Sequence, residues 1–73
     1  MMMNRIPVVS SNLRSVGYDE ASGTLEVEFH GGRIYQYFDV PASIYHGLMA
    51  ADSHGTYLDL CVKKAGYRYL RVL

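Results

Sequence analysis

The sequence predicts a small α+β domain in which two short helices cover one face of an antiparallel sheet. Three observations carry that reading. The stretch TLEVEFH, residues 24–30, alternates strictly, with Leu25, Val27 and Phe29 on one side and Glu26 and Glu28 on the other. That is the pattern of a half-buried antiparallel strand. From Ala42 to Ala51 the period changes, and Ile44, Tyr45, Leu48 and Met49 fall at helical spacing as one apolar stripe. The closing YRYLRVL alternates again.

Residues 1–9 are expected to be disordered, and any of the methionines Met1 to Met3 could be the true start. A single domain then spans residues 10–73. LRSVGYD, residues 13–19, makes a first strand, and DEASG supplies turn chemistry. Gly31-Gly32 brings the chain back through a tight hairpin into RIYQYF. Pro41 suits the first turn of a helix, with Asp39 or Val40 near its cap. Gly47 weakens that helix by about 1 kcal/mol relative to alanine, so close packing is the reason to expect it there.

TYLDLCVKK makes a second helix, with Thr56 as N-cap and Asp59 at capping-box spacing. Ser53 could instead cap the break between the helices, with Gly55 in a left-handed turn. Lys63 and Lys64 complement the helix dipole at the far end, and Ala65-Gly66 stops it. The predicted order is β-β-β-α-α-β.

Composition narrows the function classes. The 73 residues hold seven tyrosines and two phenylalanines as bulky filler, with no tryptophan. Cys61 is the one cysteine, so no internal disulfide can form, and a reducing, cytoplasmic setting is expected. No segment approaches the roughly 20 apolar residues of a membrane helix. Seven basic and seven acidic residues cancel. Their distribution is uneven, because Lys63, Lys64, Arg68 and Arg71 form a basic end with no acid among them.

The run from Ser10-Ser11-Asn12 through Gly17-Tyr18-Asp19, Leu25-x-Val27-x-Phe29, Tyr35-x-Tyr37, Val40-Pro41, Tyr45 and Ala51-x-Ser53-x-Gly55 resembles the KTSC family. That family takes its name from the C-terminal end of some lysyl-tRNA synthetases and also occurs as free-standing bacterial proteins. The resemblance covers residues 10–72. One departure is Asp59, where an asparagine is expected, so no amide donor is available there. What the resemblance implies about function is modest: RNA binding has been suggested for the family.

Tyr35 and Tyr37 pose the central question, since they share one face of their strand. If Gly31-Gly32 alone form the loop, Glu28 faces Tyr35 and Glu26 faces Tyr37, and the tyrosines join the polar face. If the loop is Gly31-Gly32-Arg33, Phe29 faces Tyr35 and Val27 faces Tyr37, and the tyrosines join the core. The alternative inward set would place Gln36 at its centre, and burying an unpaired amide costs about 1–3 kcal/mol. That favours core tyrosines. As a stacking surface, Arg33, Tyr35 and Tyr37 would need the strand bearing Tyr67, Tyr69 and Arg71 as a neighbour, to give an aromatic floor with basic edges. Glu26 and Glu28 beside that floor would repel phosphate.

Other chemistry finds little support. His30, His46, His54 and Cys61 match neither a Cys-x-x-Cys nor a His-x-x-x-His spacing, so no metal site is expected. No triad, paired acid or cofactor motif is present, and neither catalysis nor a cofactor is expected. The leading expectation is RNA binding through Lys63, Lys64, Arg68 and Arg71, with Arg33, Tyr35 and Tyr37 added by stacking. The rival is a protein-interaction or self-associating module, since so small a core gains from burying one more apolar face.

Overall fold

In the computed structural model, which describes residues 3–73, five strands form one antiparallel sheet in sequential order. They are β1 (Ile6–Pro7), β2 (Leu13–Asp19), β3 (Thr24–Phe29), β4 (Ile34–Tyr37) and β5 (Tyr69–Arg71). Between β4 and β5 lie α1 (Ala42–Ala50) and α2 (His54–Leu58), the latter continued by one π-helical turn, Asp59–Lys63. The α+β class and the helices placed ahead of the last strand agree with the sequence. The choice among the opening methionines falls partly on Met1 and Met2, outside the described residues.

The β3–β4 hairpin takes neither of the two registers weighed above. Val27 pairs with Tyr35, Leu25 with Tyr37, and Glu26 with Gln36. The Phe29 N–H donates to the Arg33 carbonyl at 2.8 Å, so the loop is His30-Gly31-Gly32. Gly31 and Gly32 take φ values of 101° and 91°, which only glycine adopts freely. Because this register differs by two residues from the glycine-arginine loop, it preserves parity. Tyr35 and Tyr37 therefore share the face of Val27 and Leu25, as the cost of burying Gln36 suggested.

A bulge between Leu13 and Ser15 does the same work on β2. It lets Leu13 point inward opposite Phe29 while Ser15 points away opposite Glu28. On the inward face Val16, Leu25, Val27, Leu48 and Val62 are each 0% exposed. Leu48 comes from α1, where Ile44, Tyr45 and Met49 pack beside the same core. Tyr45 stacks on Tyr18 with ring centres 4.9 Å apart, and the Tyr18 hydroxyl donates to the Val40 carbonyl. Gly47 does admit close packing, since a Cβ there would lie 2.7 Å from Cζ of Tyr57.

The caps differ in detail from the sequence reading. Pro41 is the residue before α1 rather than within its first turn, and no side chain caps that helix. Asp39 instead adopts a positive φ of 57°. Ser53 caps α2, its Oγ accepting from the Thr56 N–H at 3.3 Å, so α2 opens two residues before Thr56. Gly55 is then helical and not in a left-handed turn. The Lys64 N–H reaches the Asp59 carbonyl at 3.0 Å, the longer loop of a π turn, and Gly66 ends the segment at φ 88°.

Of the segment 1–9 expected to be disordered, Met1 and Met2 lie outside the described residues, and Ile6 and Pro7 form a strand. Ile6–Pro7 pairs with β2 as a short edge strand, where the missing proline N–H is tolerated. The reason lies on the outer sheet face. Arg5 crosses Gly17, where a Cβ would stand 2.7 Å from the Asn4 carbonyl oxygen and 3.1 Å from Cγ of Arg5. Its Nη1 then meets Glu26 Oε2 at 2.5 Å, and its Nε donates to Ser15 Oγ at 2.9 Å. Ser15 Oγ donates to Glu28 Oε1 at 2.8 Å, and Gln36 Nε2 donates to Glu26 Oε1 at 2.9 Å. Glu26, expected on a solvated face, is 0% exposed.

A carboxylate this deeply buried is tolerable only while paired, and stripping one partner from such a pair costs several kcal/mol. Arg5→Ala is expected to destabilise the domain by about 3 kcal/mol. The same change made in a Glu26→Gln background should cost under about 1 kcal/mol, because no buried charge is then orphaned. Urea unfolding of the four proteins of this cycle checks the pair. Equal losses in both backgrounds would mean that Arg5 acts through packing alone.

Candidate functional site

Burial along the inward face falls off toward β5. Val16 on β2 and Val27 on β3 are 0% exposed, whereas Tyr69 on β5 is 64% exposed. The helices therefore roof one end of the sheet and leave the tyrosine end open. β4 and β5 are neighbours, with Tyr37 opposite Tyr69 and Tyr35 opposite Arg71. The two tyrosine-bearing strands thus lie side by side with their aromatic faces on the same side.

The rings form one cluster. Tyr35 and Tyr37 are near-parallel, 6.5 Å between centres at 21°, and Tyr69 lies 6.1 Å from Tyr35 and 5.9 Å from Tyr37. Phe29 meets the edge of Tyr35 at 5.7 Å. Two cations stand at Phe29, the Arg33 guanidinium 5.6 Å and the Lys63 ammonium 5.2 Å from the ring centre. Between these groups opens a cleft of about 540 Å³, which Ser11, Asn12 and His30 line as well. Among the described residues no carboxylate lines it. Glu26 and Glu28 belong to the opposite face, held by Arg5, so the repulsion expected beside an aromatic floor does not arise.

The residues singled out in the sequence divide into two groups. Arg33, Tyr35, Tyr37 and Lys63 line the cleft together, and Arg71 shares its face on β5. Lys64 and Arg68 go elsewhere. Lys64 pairs with Asp59 at 3.5 Å on an exposed surface. Arg68 pairs with Asp39 at 3.2 Å and lies over the Phe38 ring. The basic end is therefore not one patch: Arg71 lies on β5 opposite Tyr35, whereas Arg68, just ahead of that strand, is drawn to Asp39.

Five lining residues, Ser11, Asn12, Phe29, His30 and Tyr69, were not among those singled out for binding. Tyr69 carried a readable signal in its alternation with Arg71. Asn12 and Ser11 stood within the Ser10-Ser11-Asn12 run but had been given no role. The histidines do not converge. His30 Nε2 bonds the Ser10 carbonyl oxygen at 2.9 Å, and His54 Nδ1 bonds that of Leu48 at 2.8 Å. His46 lies beside the Tyr45 ring. Cys61 is half-buried between the buried Leu58 and Val62 turns. Among the described residues no group of three His, Cys, Asp or Glu could hold a metal ion, and no helix is long and apolar enough to cross a membrane.

With this geometry in hand, comparison with known proteins is specific. The KTSC domain family model matches residues 9–69. A protein of Stutzerimonas stutzeri is 43% identical over 70 residues, covering 96% of this chain and 99% of its own length. A lysine–tRNA ligase of Nostoc punctiforme is 34% identical over 53 residues, which is 73% of this chain and 9% of the ligase. The crystal structure of a KTSC domain protein from Yersinia pestis aligns with a TM-score of 0.86 at 35% identity, covering 96% of this chain and 97% of that one.

The cleft floor also leaves a titration signature. Burial pushes the Tyr37 phenol up to about 12 from its ordinary value of 10.0, with Tyr35 and Tyr69 adding to the shift. The folded state thus holds this proton more tightly than the unfolded chain does. Stability from this group is complete below about pH 10 and is lost as pH rises through about 12, a span worth on the order of 2 kcal/mol. Tyr18 and Tyr57 are also raised, burial being the main cause in each. Tyr37→Phe is therefore expected to flatten, without abolishing, the alkaline fall of the urea midpoint. An unchanged slope would show that the Tyr37 hydroxyl reaches water freely.

Proposed function

The chain belongs to the KTSC domain family, and on that premise we propose that it is a small non-enzymatic RNA-binding module. It acts through the tyrosine end of its sheet. Single-stranded bases stack on Tyr35, Tyr37 and Tyr69, while Arg33, Lys63 and Arg71 meet the phosphates. The observation that carries this reading is the open aromatic cleft edged by Arg33 and Lys63 and free of carboxylates. Its volume of about 540 Å³ falls within the roughly 300–1,000 Å³ of small-ligand sites and suits one nucleotide at a time. Base stacking on an aromatic side chain supplies about 1–3 kcal/mol per base. Two or three phosphate contacts add affinity that salt removes.

A second reading, self-association, has one observation in its favour. Tyr69, Leu70 and Leu73 at the free β5 edge are all more than half exposed. Val72 and Arg68 spend their backbone groups on β4, through the Val72 N–H to Ile34 and the Arg68 carbonyl to Phe38. By alternation Tyr69 and Arg71 turn theirs outward, where another strand could pair.

The two readings respond oppositely to salt. RNA binding, followed by amide shifts on titration with short single-stranded RNA, should fall about tenfold between roughly 50 and 200 mM salt. Lys63→Gln should remove part of that dependence, and Lys64→Gln should leave it intact. Tyr69→Ala should weaken binding by about 1–3 kcal/mol. Silence at both salts, with a mass that grows with protein concentration, would replace the RNA reading by self-association.

A further inference from the structure

Ser11 and Asn12 line the cleft without a part in base stacking or phosphate contact. A second, smaller hollow of about 350 Å³ adjoins the cleft at the start of α2, lined by Gly55, Thr56, Leu60 and Asp59, whose carboxylate is paired with Lys64 at 3.5 Å. Asn12, Phe29 and Lys63 line both spaces, so the two form one groove with Asn12 at the junction.

Asn12 is held there by its backbone. Ser10 Oγ accepts from the Asn12 and Leu13 N–H groups at 3.2 Å each. The Asn12 carbonyl accepts from the His30 N–H at 3.0 Å, and His30 Nε2 bonds the Ser10 carbonyl oxygen. The β1–β2 turn is thus tied to the hairpin loop, and these ties leave the carboxamide to the groove. Against it lies Gly55, where a Cβ would stand 3.0 Å from Asn12 Nδ2. The Ser10-Ser11-Asn12 and Ser53-x-Gly55 runs, 41 residues apart between Asn12 and Ser53 (53 − 12), therefore meet at this junction.

Resting on the RNA reading, we propose that Asn12 selects the base, its carboxamide reading the edge of an adenine stacked on the tyrosine floor. A carboxamide offers one donor and one acceptor side by side. Adenine presents the complement, an amino donor beside a ring-nitrogen acceptor, and asparagine commonly pairs with it in this way. The cations at Phe29 carry no such code, since a phosphate is the same beside every base. The floor contributes in the same direction, because a purine covers more of the tyrosine cluster than a pyrimidine. Lys63 bounds both hollows and is placed to hold the phosphate that links the stacked nucleotide to its neighbour.

The test is fluorescence anisotropy at low salt with labelled uridine hexamers carrying a single central A, G, C or U. The full chain, Asn12→Ala and Asn12→Asp are compared. The unaltered chain should favour the A hexamer over the all-U hexamer by roughly 5- to 20-fold, the lower part of what a bidentate contact gives. Asn12→Ala should abolish the preference for A over G, bringing those two hexamers within about twofold of one another and leaving only the purine preference of the floor. Asn12→Asp, which only accepts hydrogen bonds, should move the preference to G, whose ring N–H and amino group both donate. Equal binding of all four hexamers by the unaltered chain, or a preference for A over G surviving Asn12→Ala, overturns this inference and leaves the RNA reading standing. No binding of any hexamer overturns both.

Discussion

The loop His30-Gly31-Gly32 fixes the parity of the β3–β4 hairpin, and the chemistry of both sheet faces depends on that parity. Two successive positive φ angles let the chain reverse with Phe29 opposite Arg33. From there every odd residue of β3 and β4 points toward the helices and every even one away. A slip of one residue would turn β4 over against β3, carrying Gln36 to the core face and expelling Tyr35 and Tyr37. The glycines therefore decide which side chains become core, which become cleft and which enter the ion-pair network.

The two faces meet the problem of small size in different ways. On the helix side, aliphatic side chains from β2, β3, α1, α2 and the π turn close into a dry core. On the other side no helix is available, and the N-terminal strand serves instead. Arg5 lies across Gly17 and gathers Glu26, Ser15 and Glu28 into one hydrogen-bonded set. Such a network contributes little net stability beyond what packing would give, but it penalises any arrangement that separates its members. It also removes both glutamates from the neighbourhood of the cleft, which is the link between this face and the proposed binding of an anionic ligand.

Tyr35 and Tyr37 stand where the core face gives way to open surface. The tyrosines lie on the core face, yet α1, α2 and the π turn stop short of the sheet's last two strands. Tyr37 is buried at the margin of the core, Tyr35 is half-buried and Tyr69 is open. One sheet face thus passes continuously from hydrophobic interior to aromatic cleft. The rigidity of the first part positions the second, as a binding site on strands requires.

Much of the architecture was legible in the sequence, because strand and helix periods are local properties. The alternation of TLEVEFH, the stripe Ile44, Tyr45, Leu48 and Met49, and the tight turn at Gly31-Gly32 each specify an element with no knowledge of its neighbours. The ordered set of motifs likewise pointed to the KTSC family. Other features depend on pairs distant in sequence, and no period encodes them. Arg5 finds Glu26 only after β1 docks on β2, so a stretch that reads as a tail becomes a strand. Lys63 and Lys64 are adjacent in sequence, yet one enters the cleft and the other meets Asp59, because a helical turn separates neighbours by about 100°. Asn12 and Gly55 acquire a shared position only when the β1–β2 turn and α2 pack together. The sequence by itself determined the elements and their class, since these follow from backbone geometry and the spacing of apolar side chains. The tertiary structure alone decided where the sheet stays uncovered and which side chains gather there, since that depends on how far the helices reach across it.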